Sequence, residues 1–246
     1  MAELIEIPTG EGTAEAYLAQ GGSKGGVLLF MDAIGLRPRI GEMADRIASW
    51  GYTVLAPNVF YRDGSAEELA PQGDLRIPEE REKFFATSGV SQHMENLTPE
   101  RAATDTAAYV RTLQQYVGTE TKLATTGYCM GARLAMRAAG QFPGLIVAVG
   151  GFHGGGLVTD DPQSPHTTVT NQAEYVFGHA DNDRSMTPEN VATLGRALDA
   201  VGATYTNEIY AGAPHGYTMS DTSMWNEEAA ERHFTALQAL LARTLG

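Results

Sequence analysis

Three side chains able to do chemistry stand along the chain in the order nucleophile, acid, histidine: Cys129, Asp181 and His215. Covalent cleavage of an ester needs a nucleophile, a base within hydrogen-bond reach, a carboxylate to orient that base, and donors for the developing oxyanion. Cys129 is the only cysteine. It sits in Gly127-Tyr128-Cys129-Met130-Gly131, which has the G-x-nucleophile-x-G form of a strand-to-helix elbow. At such an elbow the nucleophile holds a strained backbone conformation, and its neighbours two residues away need to lack side chains so that strand and helix can close on each other. The amino end of the following helix favours a thiolate there. The Met130 N–H is the expected oxyanion donor, with a second from Ala33 or Ile34 in the loop after the early strand that ends at Met31.

A lone cysteine is more often an inert core residue, and the pentapeptide by itself leaves that reading open. The later residues weigh against it. Asp181 follows the strand-like "YVFG", and His215 lies in "GAPHGY" after the next strand. Loops at the carboxyl ends of parallel strands converge where α/β proteins bind ligands. Asp183 competes for the acid role, but Asp181 stands nearer the strand end and is preferred. His93 and His166 fall in irregular polar stretches and His233 in the terminal helix, where solvated or capping roles are expected. His153 and His179 follow apolar strands and could line a pocket.

The elements that would position these groups alternate in βα fashion around a mainly parallel sheet. "GGVLLFMDA" (25–33) is a continuous apolar run suited to a strand buried on both faces. Ile40, Met43, Ile47 and Trp50 mark a helix over 38–50, and "YTVLAPNVF" (52–60) returns to strand. Thr98-Pro99 and Thr187-Pro188 offer helix caps. Ala230, Phe234, Leu237 and Leu241 stripe a terminal helix. Residues 61–97 break the rhythm: polar, with two prolines and one short helical patch near Phe84 and Phe85, they read as a surface excursion that forms a lid or pocket wall. The pattern predicts one α/β domain over 1–246 with about seven to eight strands.

Composition agrees. The chain has 246 residues, 43% of them hydrophobic and 19% charged, ordinary globular proportions with enough apolar residues for one large core. Thirty acidic against seventeen basic side chains give a formal charge of −13, which argues against nucleic acid or an anionic membrane surface as partner. No signal-like leader or bilayer-length apolar run stands out, and one cysteine allows no internal disulfide, so a soluble, cytoplasmic protein is expected. Cysteine pairs, H-x-x-x-H spacing and nucleotide-binding glycine fingerprints are absent from the sequence, so no metal or other cofactor is expected.

With these residues in place, the chain resembles the dienelactone hydrolase family of the α/β-hydrolase superfamily over nearly its whole length. "GYCMG" is similar to the family's cysteine elbow, "GHAD" to its acid loop, "APHGY" to its histidine loop, and "MDAIG" to the segment that carries an acidic residue beside the nucleophile. The resemblance implies an α/β-hydrolase fold with Cys129 as nucleophile, His215 as base and Asp181 as the orienting carboxylate. It implies that Asp32, where the family usually has glutamate, takes part in activating the thiol. The best-known members carry an arginine four residues after the histidine, and Met219 stands there instead. Arg37, Arg39, Arg76, Arg81 and Arg133 lie in segments that could border the pocket, yet each is expected at the solvated surface.

The expected function is hydrolysis of a lactone or small carboxylic ester, of carboxymethylenebutenolidase type, by a Cys-His-Asp triad acting on a small-molecule substrate. A general carboxylesterase or thioesterase of the same fold is the first rival. A non-catalytic protein that binds a ligand or senses oxidants through Cys129 is the second.

Overall fold

Apolar runs too continuous to leave one face in water force a sheet covered on both sides. In the computed structural model, which describes residues 1–246, such runs form the centre of an eight-stranded sheet. The chain begins with a hairpin, β1 (Glu3–Thr9) and β2 (Gly12–Gln20), and then enters β3 (Gly26–Phe30), α1 (Pro38–Ala48) and β4 (Thr53–Pro57). After the excursion come α2 (Ala66–Leu69), α3 (Pro78–Thr87), α4 (Val90–Asn96), α5 (Pro99–Val117), β5 (Leu123–Tyr128) and α6 (Met130–Gln141). β6 (Ile146–Phe152), β7 (Glu174–Ala180), α7 (Pro188–Val201), β8 (Thr204–Tyr210) and α8 (Glu227–Thr244) complete it.

The strand order is β1-β2-β4-β3-β5-β6-β7-β8. β2 runs antiparallel to both β1 and β4, and every pairing from β4 through β8 is parallel. Every residue of β3, β4 and β5 is buried. α5 and α6 pack together and cover β3 to β6. α1 and α8, which lie over β2, β4, β6 and β7, are joined by the Arg46–Glu231 ion pair and the Trp50–Phe234 edge contact. The chain therefore has one α/β domain built on a mostly parallel sheet, and no helix is long and apolar enough to cross a membrane.

The caps fall where the Thr-Pro pairs place them. Thr98 accepts a hydrogen bond from the Arg101 N–H at the start of α5, and Thr187 from the Asn190 N–H at the start of α7, each meeting a donor that the first helical turn leaves free. The excursion carries more structure than its composition predicts. Its three helices, α2 to α4, are tied to the domain at their entry: Tyr61 and Arg62 both bond the buried Asp105 of α5, Arg62 through a two-nitrogen fork at 2.6 and 2.9 Å. Asn96 closes the far end on Asp63 at 2.7 Å. Polar sequence hides these helices because α3 buries none of its residues, so no apolar stripe marks it.

His233 departs from the solvated role expected for it. Its ring is fully buried and packs against Phe152 and Tyr128, and this apolar enclosure pushes its pKa down to about 3.

Candidate active site

Parallel register brings Gly127 of β5 between Phe30 of β3 and Gly151 of β6, and the chain reverses at the next two residues into α6. Cys129 holds the turn at φ 55° and ψ −117°, a conformation that costs a residue with a Cβ about 1 to 3 kcal/mol and persists only where the surroundings impose it. The two flanking glycines are required by contact. A methyl on Gly127 would overlap the Gly131 carbonyl, and one on Gly131 would overlap the carbonyls of Phe30 and Met31. The Cys129 N–H donates to the Phe152 carbonyl at 3.1 Å, which locks the elbow to β6.

His215 lies in the loop after β8. Its ring borders the same pocket as Cys129, and its Nδ1 stands 2.6 Å from Oδ2 of Asp183. The acid beside the histidine is thus Asp183 and not the expected Asp181. Asp181 is still at the strand end: its N–H donates to the Ala213 carbonyl at 2.7 Å, and its carboxylate accepts the Gly212 N–H at 2.8 Å. It ties the loops after β7 and β8 together. Asn182 then turns at φ 53°, a left-handed conformation that asparagine tolerates, and this turn brings the next side chain onto the histidine. Proximity to the strand end is therefore the wrong criterion, and the Asn182 turn is the signal in the sequence that favours Asp183. Ser185, which the sequence does not single out, donates its N–H and Oγ to the second oxygen of Asp183 at 2.8 and 2.7 Å.

The charges follow from these contacts. Burial disfavours the ionised Asp183, but His215 and the two Ser185 donors outweigh it and hold the carboxyl at about 2. Burial likewise disfavours imidazolium, yet Asp183 and Cys129 raise His215 to about 10. His153, at φ 38° after β6, is fully buried with its ring edge-on to His215 at 5.3 Å. Burial and the neighbouring His215 hold it neutral. Its Nε2 meets the Thr218 hydroxyl at 2.7 Å. His153 and His215 line the pocket above Cys129, whereas His179 is turned away to Asn207 at 2.6 Å.

Asp32 lines the same pocket, but its carboxylate is engaged elsewhere. Arg37 grips it with two nitrogens at 2.6 and 3.1 Å, and the same guanidinium holds Asp221 through Nε at 2.6 Å. Asp32 also accepts the Ile34 N–H at 3.1 Å. In this arrangement its oxygens serve the Arg37 clamp rather than the thiol, and the Ile34 N–H is spent. The second oxyanion donor left open by the geometry is Ala33, which faces the pocket with Cys129, while Met130 begins α6, where no preceding turn takes up its N–H.

The arginines divide in a way the sequence does not foretell. Arg76 is exposed and pairs with Asp74. Arg37 is buried at 5% exposure between its two carboxylates, and half-buried Arg39 donates to the Thr218 carbonyl at 2.8 Å. Arg81 of α3 reaches the Cys129 pocket with its Nε buried and unpartnered, so the excursion supplies a wall of the site. Met219, buried at 1%, lines that pocket too. The space enclosed is small, about 30 Å³. Arg133 borders a separate cavity.

The chain is similar to known proteins over most of its length. A Yersinia pestis protein named "Putative carboxymethylenebutenolidase" is 24% identical over 234 residues, covering 92% of this chain and 82% of that protein. Two solved structures have the same fold: a dienelactone hydrolase-like promiscuous phosphotriesterase, P91, from metagenomic libraries, and a dienelactone hydrolase from Anabaena variabilis. The first is 17% identical with a TM-score of 0.79, the second 16% identical with a TM-score of 0.65, and each alignment covers 100% of this chain and 99% of the other. Residues 14–245 match the model of the dienelactone hydrolase family; with its cysteine elbow, its histidine loop and its eight-stranded sheet, the chain belongs to that family.

Proposed function

We propose that the protein hydrolyses lactones or small carboxylic esters with Cys129 as nucleophile, His215 as acid and base, and Asp183 as the carboxylate that orients His215. The observation that carries this reading is the Asp183–His215 pair, 2.6 Å apart, in one pocket with Cys129 on its strained elbow. The relatives named for carboxymethylenebutenolidase and the narrow pocket favour a compact substrate such as a lactone.

In the first half-reaction the Cys129 sulfur adds to the carbonyl carbon, and the oxygen takes the negative charge beside the Met130 and Ala33 N–H groups. Collapse breaks the bond to the leaving oxygen, which receives its proton from the His215 imidazolium, and a thioester remains on Cys129. In the second half, water adds to the thioester as His215 accepts its proton. The carbon–sulfur bond then breaks, the acid leaves, and the thiolate–imidazolium pair is restored. Asp183 keeps Nδ1 hydrogen-bonded throughout, so Nε2 faces the reacting atoms.

The test is release of p-nitrophenol from p-nitrophenyl acetate and opening of a γ- or δ-lactone by the wild type and Cys129→Ala. A loss of at least about 10³-fold in kcat/KM is expected, the scale seen when a triad member is removed. Equal rates would remove Cys129 from the reaction.

A further inference from the structure

Across α6 from the Cys129 pocket lies a second cavity of about 330 Å³, whose lining includes Met130, Arg133, Arg137, Thr98, Gln163 and Gly156. Arg133 stands four residues after Cys129, one helical turn along the same face. Arg37 holds Asp32 and Asp221, Arg62 holds Glu11 and Asp105, and Arg39 holds Glu42. Arg133 holds no carboxylate. Burial works against its charge, and the one group that favours it is Cys129. The neighbouring Arg137 donates to the Gln163 carbonyl, while burial and the nearby Arg133 work against its charge and Asp161 and Glu100 favour it from beyond ion-pair distance. Among the lining carboxylates, Glu95 is exposed and Asp161 accepts the Gln163 N–H at 2.7 Å. A half-buried guanidinium that faces an open cavity without a counter-charge is matched to an anion supplied from outside.

The cavity is also next to the reacting atoms. Gly155 and Gly156 form the ledge between the two spaces: a methyl on Gly155 would lie 3.6 Å from Cε1 of His215, and one on Gly156 would lie 3.7 Å from Cδ of Arg133. The glycine backbone and the Ser185 side chain, whose Oγ would lie 2.8 Å from the Gly155 methyl, separate the histidine from the arginine there. A substrate whose carbonyl oxygen rests on the Met130 N–H can therefore extend over this ledge toward Arg133.

We propose that this cavity is an oxyanion subsite, in which Arg133 binds a carboxylate or phosphate group carried by the substrate beyond the scissile bond. As a substrate subsite it rests on the reading of Cys129 as nucleophile; as an anion site it does not. The binding experiment uses calorimetric titration with glutarate and with inorganic phosphate, on Cys129→Ala protein so that turnover plays no part. At least one probe should bind, and the tighter one identifies which oxyanion the site takes. Adding Arg133→Gln should weaken it by about tenfold or more, the scale of a charge-assisted hydrogen bond. Arg133→Lys, which keeps the charge without the fork, should weaken it severalfold and carries the comparison if the glutamine variant does not fold. Arg81→Gln, on the other side of Cys129, should leave it within about twofold.

Absence of binding of both probes up to about 10 mM, equal affinity in the Arg133 variants, or loss in Arg81→Gln instead would overturn the proposal. In the enzyme with Cys129 intact, Arg133→Gln should raise KM for p-nitrophenyl hemisuccinate by about tenfold relative to its effect on p-nitrophenyl acetate; an equal effect on both removes the subsite from substrate recognition and overturns the proposal. If Cys129→Ala leaves ester hydrolysis intact while Arg133-dependent binding holds, the nucleophile reading fails and the anion site stands.

Discussion

Nδ1 of His215 lies 2.6 Å from Oδ2 of Asp183, and the other oxygen of that carboxylate takes two hydrogen bonds from Ser185. Asp181, two residues earlier, is spent on the Gly212 N–H. The two aspartates should therefore separate cleanly by mutation. Asp183→Asn should lower kcat/KM for p-nitrophenyl acetate by about 10³- to 10⁴-fold through loss of the correct tautomer, whereas Asp181→Asn should stay within about tenfold. A reversed order in the two measurements would return the acid role to Asp181.

The same pair makes stability depend on pH at both ends of the range. Asp183 is depressed to about 2, so its contribution is present above the ordinary aspartate value near 3.9 and is lost as pH falls from there through about 2. His215 is raised to about 10, so its contribution is full below about 6.5 and is lost as pH rises from there through about 10. Urea midpoints of wild type and His215→Gln should differ most at pH 6 and converge toward pH 10. A gap that widens with pH would contradict the assignment.

Arg37 sits between Asp32 and Asp221 with almost no access to water. Removing it leaves Asp32 buried and uncompensated, and breaking such a pair from one side costs about 3 to 5 kcal/mol. Arg37→Met should lose stability on that scale in denaturant titration. Because the clamp joins the Ala33 loop to the loop after His215, kcat should fall as well. Iodoacetamide alkylation of Cys129 should slow by less than kcat, since Asp183 and His215 remain in place.

Gly131→Ala tests the elbow. The added methyl overlaps two carbonyls of the β3 end, and overpacking of this kind costs about 1 to 3 kcal/mol while shifting the nucleophile. At Gly10 a methyl would meet only the Thr104 Cγ2 at 3.6 Å, so Gly10→Ala should stay within about 0.5 kcal/mol. Thermal unfolding of the two variants, with ester hydrolysis alongside, makes the comparison.

The central sheet was legible because β3 and β6 are apolar along their whole length, and the Thr-Pro caps marked the starts of α5 and α7. The elbow was legible because its glycines answer a backbone need that no side chain can meet. The helices of 61–97 were hidden, since α3 gains its place through ends and loops rather than a buried stripe. Asp183 was hidden by the turn at Asn182, and the Arg37 clamp by sequence distance, for Asp221 lies 184 residues from its partner. Charge alone cannot distinguish an arginine such as Arg76, which remains in water, from one such as Arg133, which borders a cavity.

Position 32 has an evolutionary consequence. Aspartate fits there because its short stem lets both oxygens meet a guanidinium that is itself fixed by Asp221. Glutamate, which the family resemblance places here, would carry its carboxylate a methylene further and could not keep both oxygens on Arg37 without moving the clamp. Exchanging Asp32 for glutamate therefore calls for a compensating change at Arg37 or Asp221, and a chimera that swaps the first loop without the last would part Arg37 from Asp221.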